Sequence, residues 1–287
     1  MKRLLLSAAT VAALSAAAHA EGLSYGADFA IGQWSNSNGG QGLQSSGGIS
    51  GEDQRFTGKI GLSLANDFGM FVGQVDLNYQ SLADADPALN TDDTTMETLD
   101  VTLRGTKDFG GFQAGLFLGY GTHNDNGDSD LNMYYRYVGI DASKTVSFGE
   151  VFGQIGYLDS GDEYDEGTQE APFLRVGASY NLGSDMVLTG AVSMAGGVKY
   201  DDSDYKNHVL GLELGLEKSI GDSGLSVYGS YEFTQIYYEN SFVGDDYGDN
   251  FSTVWLGLKY DLGGDTKRGG KLPNLGQWVA YNANEVE

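Results

Sequence analysis

In Thr98–Gly105 the apolar side chains Leu99, Val101 and Leu103 alternate with Thr98, Asp100, Thr102 and Arg104. The same alternation sets Val75, Leu77 and Tyr79 against Gln74, Asp76, Asn78 and Gln80. Leu210, Leu212, Leu214 and Leu216 oppose Gly211, Glu213, Gly215 and Glu217, and Val254, Leu256, Leu258 and Tyr260 oppose Trp255, Gly257, Lys259 and Asp261. A period of two gives a strand two unlike faces. Extended along the chain, the pattern predicts twelve strands at roughly 23–35, 55–66, 70–82, 95–107, 111–122, 131–145, 150–159, 172–183, 185–199, 206–219, 224–239 and 250–262. In 131–145 the tyrosines 134, 135 and 137 blur the register, which leaves room for a bulge.

An apolar-Gly pair punctuates this pattern at Phe68-Gly69, Phe109-Gly110, Phe148-Gly149, Leu182-Gly183, Ile220-Gly221 and Leu262-Gly263, with gaps of 41, 39, 34, 38 and 42 residues. A period near 40 fits either a four-stranded propeller blade or a pair of long strands. Each pair sits in a connection of a few residues, and a longer acidic stretch rich in Gly, Asn and Ser lies midway to the next. Each repeat therefore reads as strand, long loop, strand.

A soluble sandwich alternates in the same way. Three features favour a membrane barrel instead. The strands mostly exceed the usual five or six residues of globular sheets and suit a tilted bilayer crossing. Short turns alternate with long loops. Aromatic side chains gather near strand ends (Tyr25, Phe56, Tyr79, Phe112, Tyr120, Tyr157, Phe173, Tyr180, Tyr231, Phe233 and Tyr260), where interfacial girdles would stand. The start of the chain agrees: Lys2 and Arg3, the apolar run Leu4–Leu14 and Ala18-His19-Ala20 have the order of a secretory signal peptide covering 1–20.

Composition narrows the functions. The 287 residues hold no cysteine, so thiolate metal sites, disulfides and thiol nucleophiles are excluded. With 16 basic against 40 acidic residues the chain lacks the basic footprint of a nucleic-acid binder. Glycine is abundant at 44 residues while proline is only 3, which argues against a disordered linker and for sheet.

The signal peptide, the glycine-rich alternating strands, the Phe-Gly and Leu-Gly turns and the closing strand Trp255-Leu256-Gly257-Leu258-Lys259-Tyr260-Asp261-Leu262 resemble porin-like outer-membrane β-barrel proteins of Gram-negative bacteria. The resemblance implies an all-β antiparallel transmembrane barrel over 21–262 with short periplasmic turns and long extracellular loops. It also implies contact with outer-membrane lipid and with the barrel-assembly machinery, and passage of small solutes or cations. Such barrels commonly close on an aromatic C-terminal residue, whereas this chain continues for 25 residues beyond Leu262. Its segment 263–287 carries Lys267, Arg268 and Lys271, then Leu272, Leu275, Trp278, Val279 and Tyr281 without a period of two. It reads as a periplasmic extension that its charge could draw towards the lumen.

No enzyme is expected. After residue 20 only His123 and His208 remain as imidazole bases, and neither has a serine two residues on to share a strand face. Both read as solvated strand ends. Asp201, Asp202, His208, Asp245 and Asp246 are the nearest approach to a rim protease, but Asp-rich loops occur throughout. Asp125-Asn126-Gly127-Asp128-Ser129-Asp130 has closely spaced oxygen ligands without the terminal Glu of a calcium loop, so no metal or cofactor is implied.

Two sets of charged residues remain as candidates. Taking alternate positions, the lumen face holds Asp28, Arg55, Lys59, Asp76, Asp100, Arg104, Arg175, Glu213, Glu217, Glu232, Lys259 and Asp261, with Arg136 added only if its strand turns that way. These could line a narrow pore or pair off and plug it, since twelve strands lie between a filled and an open interior. The long loops carry 22 of the 40 acids, most densely at Asp159, Asp162, Glu163, Asp165, Glu166 and Glu170. That rim is a solvated surface or a cation-attracting mouth. The glycine-rich segment 36–54 reads as a mobile surface loop, or as a constriction folded over the pore.

Overall fold

The computed structural model describes residues 23–38, 53–83, 96–125, 132–160, 170–200, 205–239, 247–262, 272–275 and 278. The alternating segments form strands β1 (Leu23–Asn38), β2 (Asp53–Asp67), β3 (Phe71–Ala83), β4 (Met96–Asp108), β5 (Phe112–Asp125) and β6 (Asn132–Val146). They continue as β7 (Gly149–Asp159), β8 (Glu170–Gly183), β9 (Met186–Tyr200), β10 (Tyr205–Ser219), β11 (Leu225–Glu239) and β12 (Tyr247–Leu262). Each pairs antiparallel with the next, and β12 returns to β1 over fourteen positions from Tyr25↔Leu262 to Asn38↔Asp249. The sheet is thereby closed, with no edge left to present unpaired backbone groups.

The apolar-Gly repeat marks one end of the barrel. Gly69, Gly110, Gly149, Gly183 and Gly221 all have positive φ, between 56° and 155°, which explains why the repeat needs glycine there. Asp67 and Asp108 build the first two of these turns alike. Their carboxylates accept the amides of Gly69 at 2.7 Å and Gly110 at 2.6 Å. Phe68 and Phe109 are left exposed beside them at the turn rim. The opposite end carries the longer connections, with one exception: β9 and β10 run on to Tyr200 and from Tyr205, so only four residues separate them.

β6 holds continuous register with β5 from Asn132 to Lys144 and with β7 from Arg136 to Val146, and neither ladder has a bulge. The register shifts lie elsewhere, between Asn207 and Val209 on β10 and between Asn181 and Gly183 on β8. Tyrosine suits either face, which is why its three copies blurred the pattern. Tyr134 points outward, while Tyr135 and Tyr137 point inward and are buried.

Outward positions form an apolar belt, with Leu99, Val101 and Leu103 on β4, Leu116 and Leu118 on β5, and Val254, Leu256 and Leu258 on β12 all exposed. Such a belt is stable only against hydrocarbon. Inward aromatic rings lie over glycines directly opposite on the next strand. Tyr137 covers Gly119, Tyr135 covers Gly121, Phe117 covers Gly139, and Phe173 covers Gly156. A Cβ at any of these glycines would strike the ring. Much of the glycine in the chain is therefore space for aromatic side chains folded along the inner wall.

Candidate functional site: the barrel lumen

The lumen has two unlike halves. Towards the short turns the inner wall is charged, and nearly every charge has a counterpart across the strands. Arg175 Nη2 lies 2.9 Å from Glu213 Oε2, Lys59 Nζ 3.5 Å from Glu232 Oε1, and Lys259 Nζ 3.5 Å from Glu217 Oε1. Lys259 also meets Asp261 at 2.5 Å. Asp28 accepts the Tyr228 hydroxyl at 2.6 Å, and Asp76 accepts from Ser63 at 2.6 Å and Gln74 at 2.7 Å. Asp100 accepts from Asn78 at 3.0 Å and from the Tyr137 hydroxyl at 3.3 Å. Charges withdrawn from water require such partners.

All twelve residues expected on the inner face from Asp28 to Asp261 occupy inward positions in this register. Arg136 does not. It stands outside the wall, its side chain 73 % exposed, with Nη2 2.6 Å from Asp159 Oδ2. The blurred register of β6 also hid an inward carboxylate. Asp141, its side chain fully buried, places Oδ2 3.0 Å from Arg104 Nε. That distance makes an ion pair, but the N–H is poorly aimed at the oxygen, so the contact is one of charge and not a good hydrogen bond. A sequence signal for Asp141 existed: it shares the odd-numbered face of β6 with Tyr135, Tyr137 and Gly139.

Towards the long connections the interior is apolar. Trp34, Phe117, Tyr135, Tyr137, Leu158, Phe173, Val209, Ile236 and Phe251 form one buried cluster. Phe173, expected in an interfacial girdle, faces inward instead at 2 % exposure. His123, expected at a solvated strand end, is buried as well, whereas His208 is exposed. The two imidazoles stand on opposite faces of the wall. Arg55 caps the cluster with its guanidinium 5.8 Å from the Trp34 ring centre.

The described residues of the C-terminal segment, 272–275 and 278, pack inside this half. Leu275 and Trp278 belong to the buried cluster, with Leu272 packed against it. The Trp278 ring meets Phe173 edge to face at 6.2 Å, and Asn274 Nδ2 donates to Gln80 Oε1 at 2.8 Å. Apolar burial drives this placement, because Trp278 and Leu275 would otherwise stand in water. Beneath the segment lies a cavity of about 90 Å³, whose lining includes Asp28, Lys59, Asn78, Asp100, Tyr137 and Glu232 from the barrel and Leu272–Leu275 from the segment. Its volume suits a few water molecules.

Of the acidic rim, Asp159 and Glu170 face each other in register at the mouth of β7 and β8. Asp162, Glu163, Asp165 and Glu166 lie outside the described residues, as do segment 39–52, the stretch 126–130, Asp201, Asp202, Asp245, Asp246 and the basic group Lys267, Arg268 and Lys271.

An outer-membrane channel from Pseudomonas putida F1 superposes with a TM-score of 0.56 at 12 % identity, over 84 % of this chain and 96 % of that one. The chain has the fold of the porin-like outer-membrane barrels. Two further similar structures are an anion-selective porin from Comamonas acidovorans (TM-score 0.42, 11 % identity, 84 % and 98 % of the two chains) and the outer membrane channel DcaP of Acinetobacter baumannii (0.43, 14 %, 84 % and 98 %). No protein-family model matches the sequence, and no curated protein matches it. Within the fold of an outer-membrane barrel the apolar belt is the lipid-facing surface.

Proposed function

We propose that the protein is an outer-membrane channel for small hydrophilic solutes that admits cations in preference to anions. The observation that carries this reading is the charged inner wall around the cavity, where Asp28, Asp100 and Glu232 surround Lys59. With Asp141, the inward positions named above hold eight carboxylates against five basic groups. The acidic long loops, placed outside the cell with the short turns in the periplasm, would add a negative potential at the mouth. Chain export through a cleaved signal peptide and assembly by the barrel-insertion machinery belong to the same reading.

Screening sets the salt dependence. The Debye length is about 10 Å at 0.1 M and about 3 Å at 1 M, so loop carboxylates should act mainly at low salt. In a potassium chloride gradient across a planar bilayer, the reversal potential should report cation preference that weakens as salt rises. Neutralising Asp159, Asp162, Glu163, Asp165, Glu166 and Glu170 should move it towards zero. Anion preference at low salt would overturn the proposal. A second reading, a barrel that does not conduct and presents its loops to a partner or to the lipid layer, is favoured by the apolar filling of the loop-side lumen. Its signature is an absence of current steps from folded, inserted protein with or without the C-terminal segment.

A further inference from the structure

We propose that the apolar half of the lumen is a binding seat for the chain's own C-terminal segment, which acts as a tethered ligand and shuts the channel through Leu275 and Trp278. The gating half of this inference rests on the channel reading; the seat itself does not.

The seat is built by the barrel wall. Its buried side chains come from nine of the twelve strands, so it is formed whether or not the segment is present. The wall is also closed without the segment, because β12 completes its ladder to β1 by Leu262. What enters the seat makes no strand. The Trp278 amide donates to the Asn274 carbonyl at 3.3 Å, a single helical turn that puts positions 275 and 278 on one face. That face carries two deeply buried side chains, Leu275 at 3 % and Trp278 at 2 % exposure.

The hydrogen bond from Asn274 to Gln80 and the edge-to-face contact of Trp278 with Phe173 tie these residues to the wall, outside the ladder of the sheet. The tether is long enough. Nine residues separate Leu262 from Leu272, a span of up to about 30 Å. Gln80 stands nine residues along β3 from Phe71, about 30 Å along the strand and less in height because barrel strands tilt. A ligand of this kind is recognised as an apolar side chain followed three residues later by an indole. Its withdrawal removes Leu272–Leu275 from the cavity wall and joins the charged chamber to the loop-side mouth.

The test uses the barrel truncated after Gly264, in lipid nanodiscs, and a synthetic peptide of residues 265–287. Calorimetry should show the peptide binding, and Trp278→Ser in the peptide should weaken it at least tenfold. No binding, or equal binding by both peptides, overturns the seat. In planar bilayers the truncated barrel should open in larger steps than the full chain. The peptide should block those steps from the short-turn side only. Block from either side alike would overturn the assignment. Binding without any current from the truncated barrel defeats the channel reading and leaves the seat standing. Current steps that the peptide neither binds nor blocks do the reverse. If the truncated chain fails to assemble, the full chain carrying Leu275→Ser and Trp278→Ser takes its place. That variant should conduct like an unplugged barrel, and conductance equal to wild type would refute the proposal.

Discussion

Removing the carboxylate of Asp141 takes away a buried counter-charge of the Arg104 guanidinium in the wall of the lumen. Arg104 and Asp141 have side chains 3 % and 0 % exposed and stand 3.0 Å apart, so neither can turn to solvent when the other is lost. Breaking a buried pair from one side costs about 3–5 kcal/mol. The poor alignment of the N–H places this pair at the lower end, about 3 kcal/mol, because less hydrogen-bond energy is forfeited. Replacing both partners removes the two buried charges together, and such exchanges are often neutral or even stabilising. Asp141→Ala should therefore lower unfolding free energy by about 3 kcal/mol, while Arg104→Met with Asp141→Leu should stay within about 1 kcal/mol of wild type. Reversible denaturant titration of the barrel in lipid vesicles, followed by tryptophan emission, measures both. An Asp141→Ala variant within about 0.5 kcal/mol of wild type would show that the two charges are not coupled, as would a double variant whose loss equals the sum of the single ones.

The glycine lanes give a second contrast. Gly121→Val should cost about 1–3 kcal/mol by driving the Tyr135 ring off the wall, whereas Gly105→Val, with nothing near its Cβ, should change stability by less than about 0.5 kcal/mol; the same titration reads both. On the outer face, Leu116→Arg should cost about 2–4 kcal/mol if that position lies near the bilayer midplane, and insertion efficiency into vesicles should fall with it. Arg136→Ala removes an exposed rim pair with Asp159 and should cost no more than about 1 kcal/mol by denaturant titration. The Tyr228→Phe variant loses the hydroxyl that Asp28 accepts and should be less stable by about 1.5–3 kcal/mol, the loss expected for a hydrogen bond to a charged group.

The strands were legible because a membrane barrel imposes one rule along its whole length, apolar to lipid and anything else inward. Leu99, Val101 and Leu103 obey it without exception, and the turns announce themselves through glycines that only positive φ explains. The charged inner face followed from parity alone. The other half of the interior was hidden for a physical reason. Inward positions there carry aromatic rings, and Phe173 or Tyr135 on an inner wall has the same composition as a girdle residue on the outer one. Only register tells the two apart, through the glycine opposite each ring. The seat of Trp278 was less legible still. It depends on contacts between a segment without periodicity and side chains from many strands, which no local pattern encodes.

Swelling of proteoliposomes in small neutral solutes reads passage through the lumen without reference to charge. Vesicles holding the barrel truncated after Gly264 should swell in glycerol and in a small sugar, and those holding the full chain should swell several-fold more slowly. Folded, inserted barrels of both kinds that leave the vesicles impermeable would contradict the assignment of this protein as a channel closed by its own C-terminal segment.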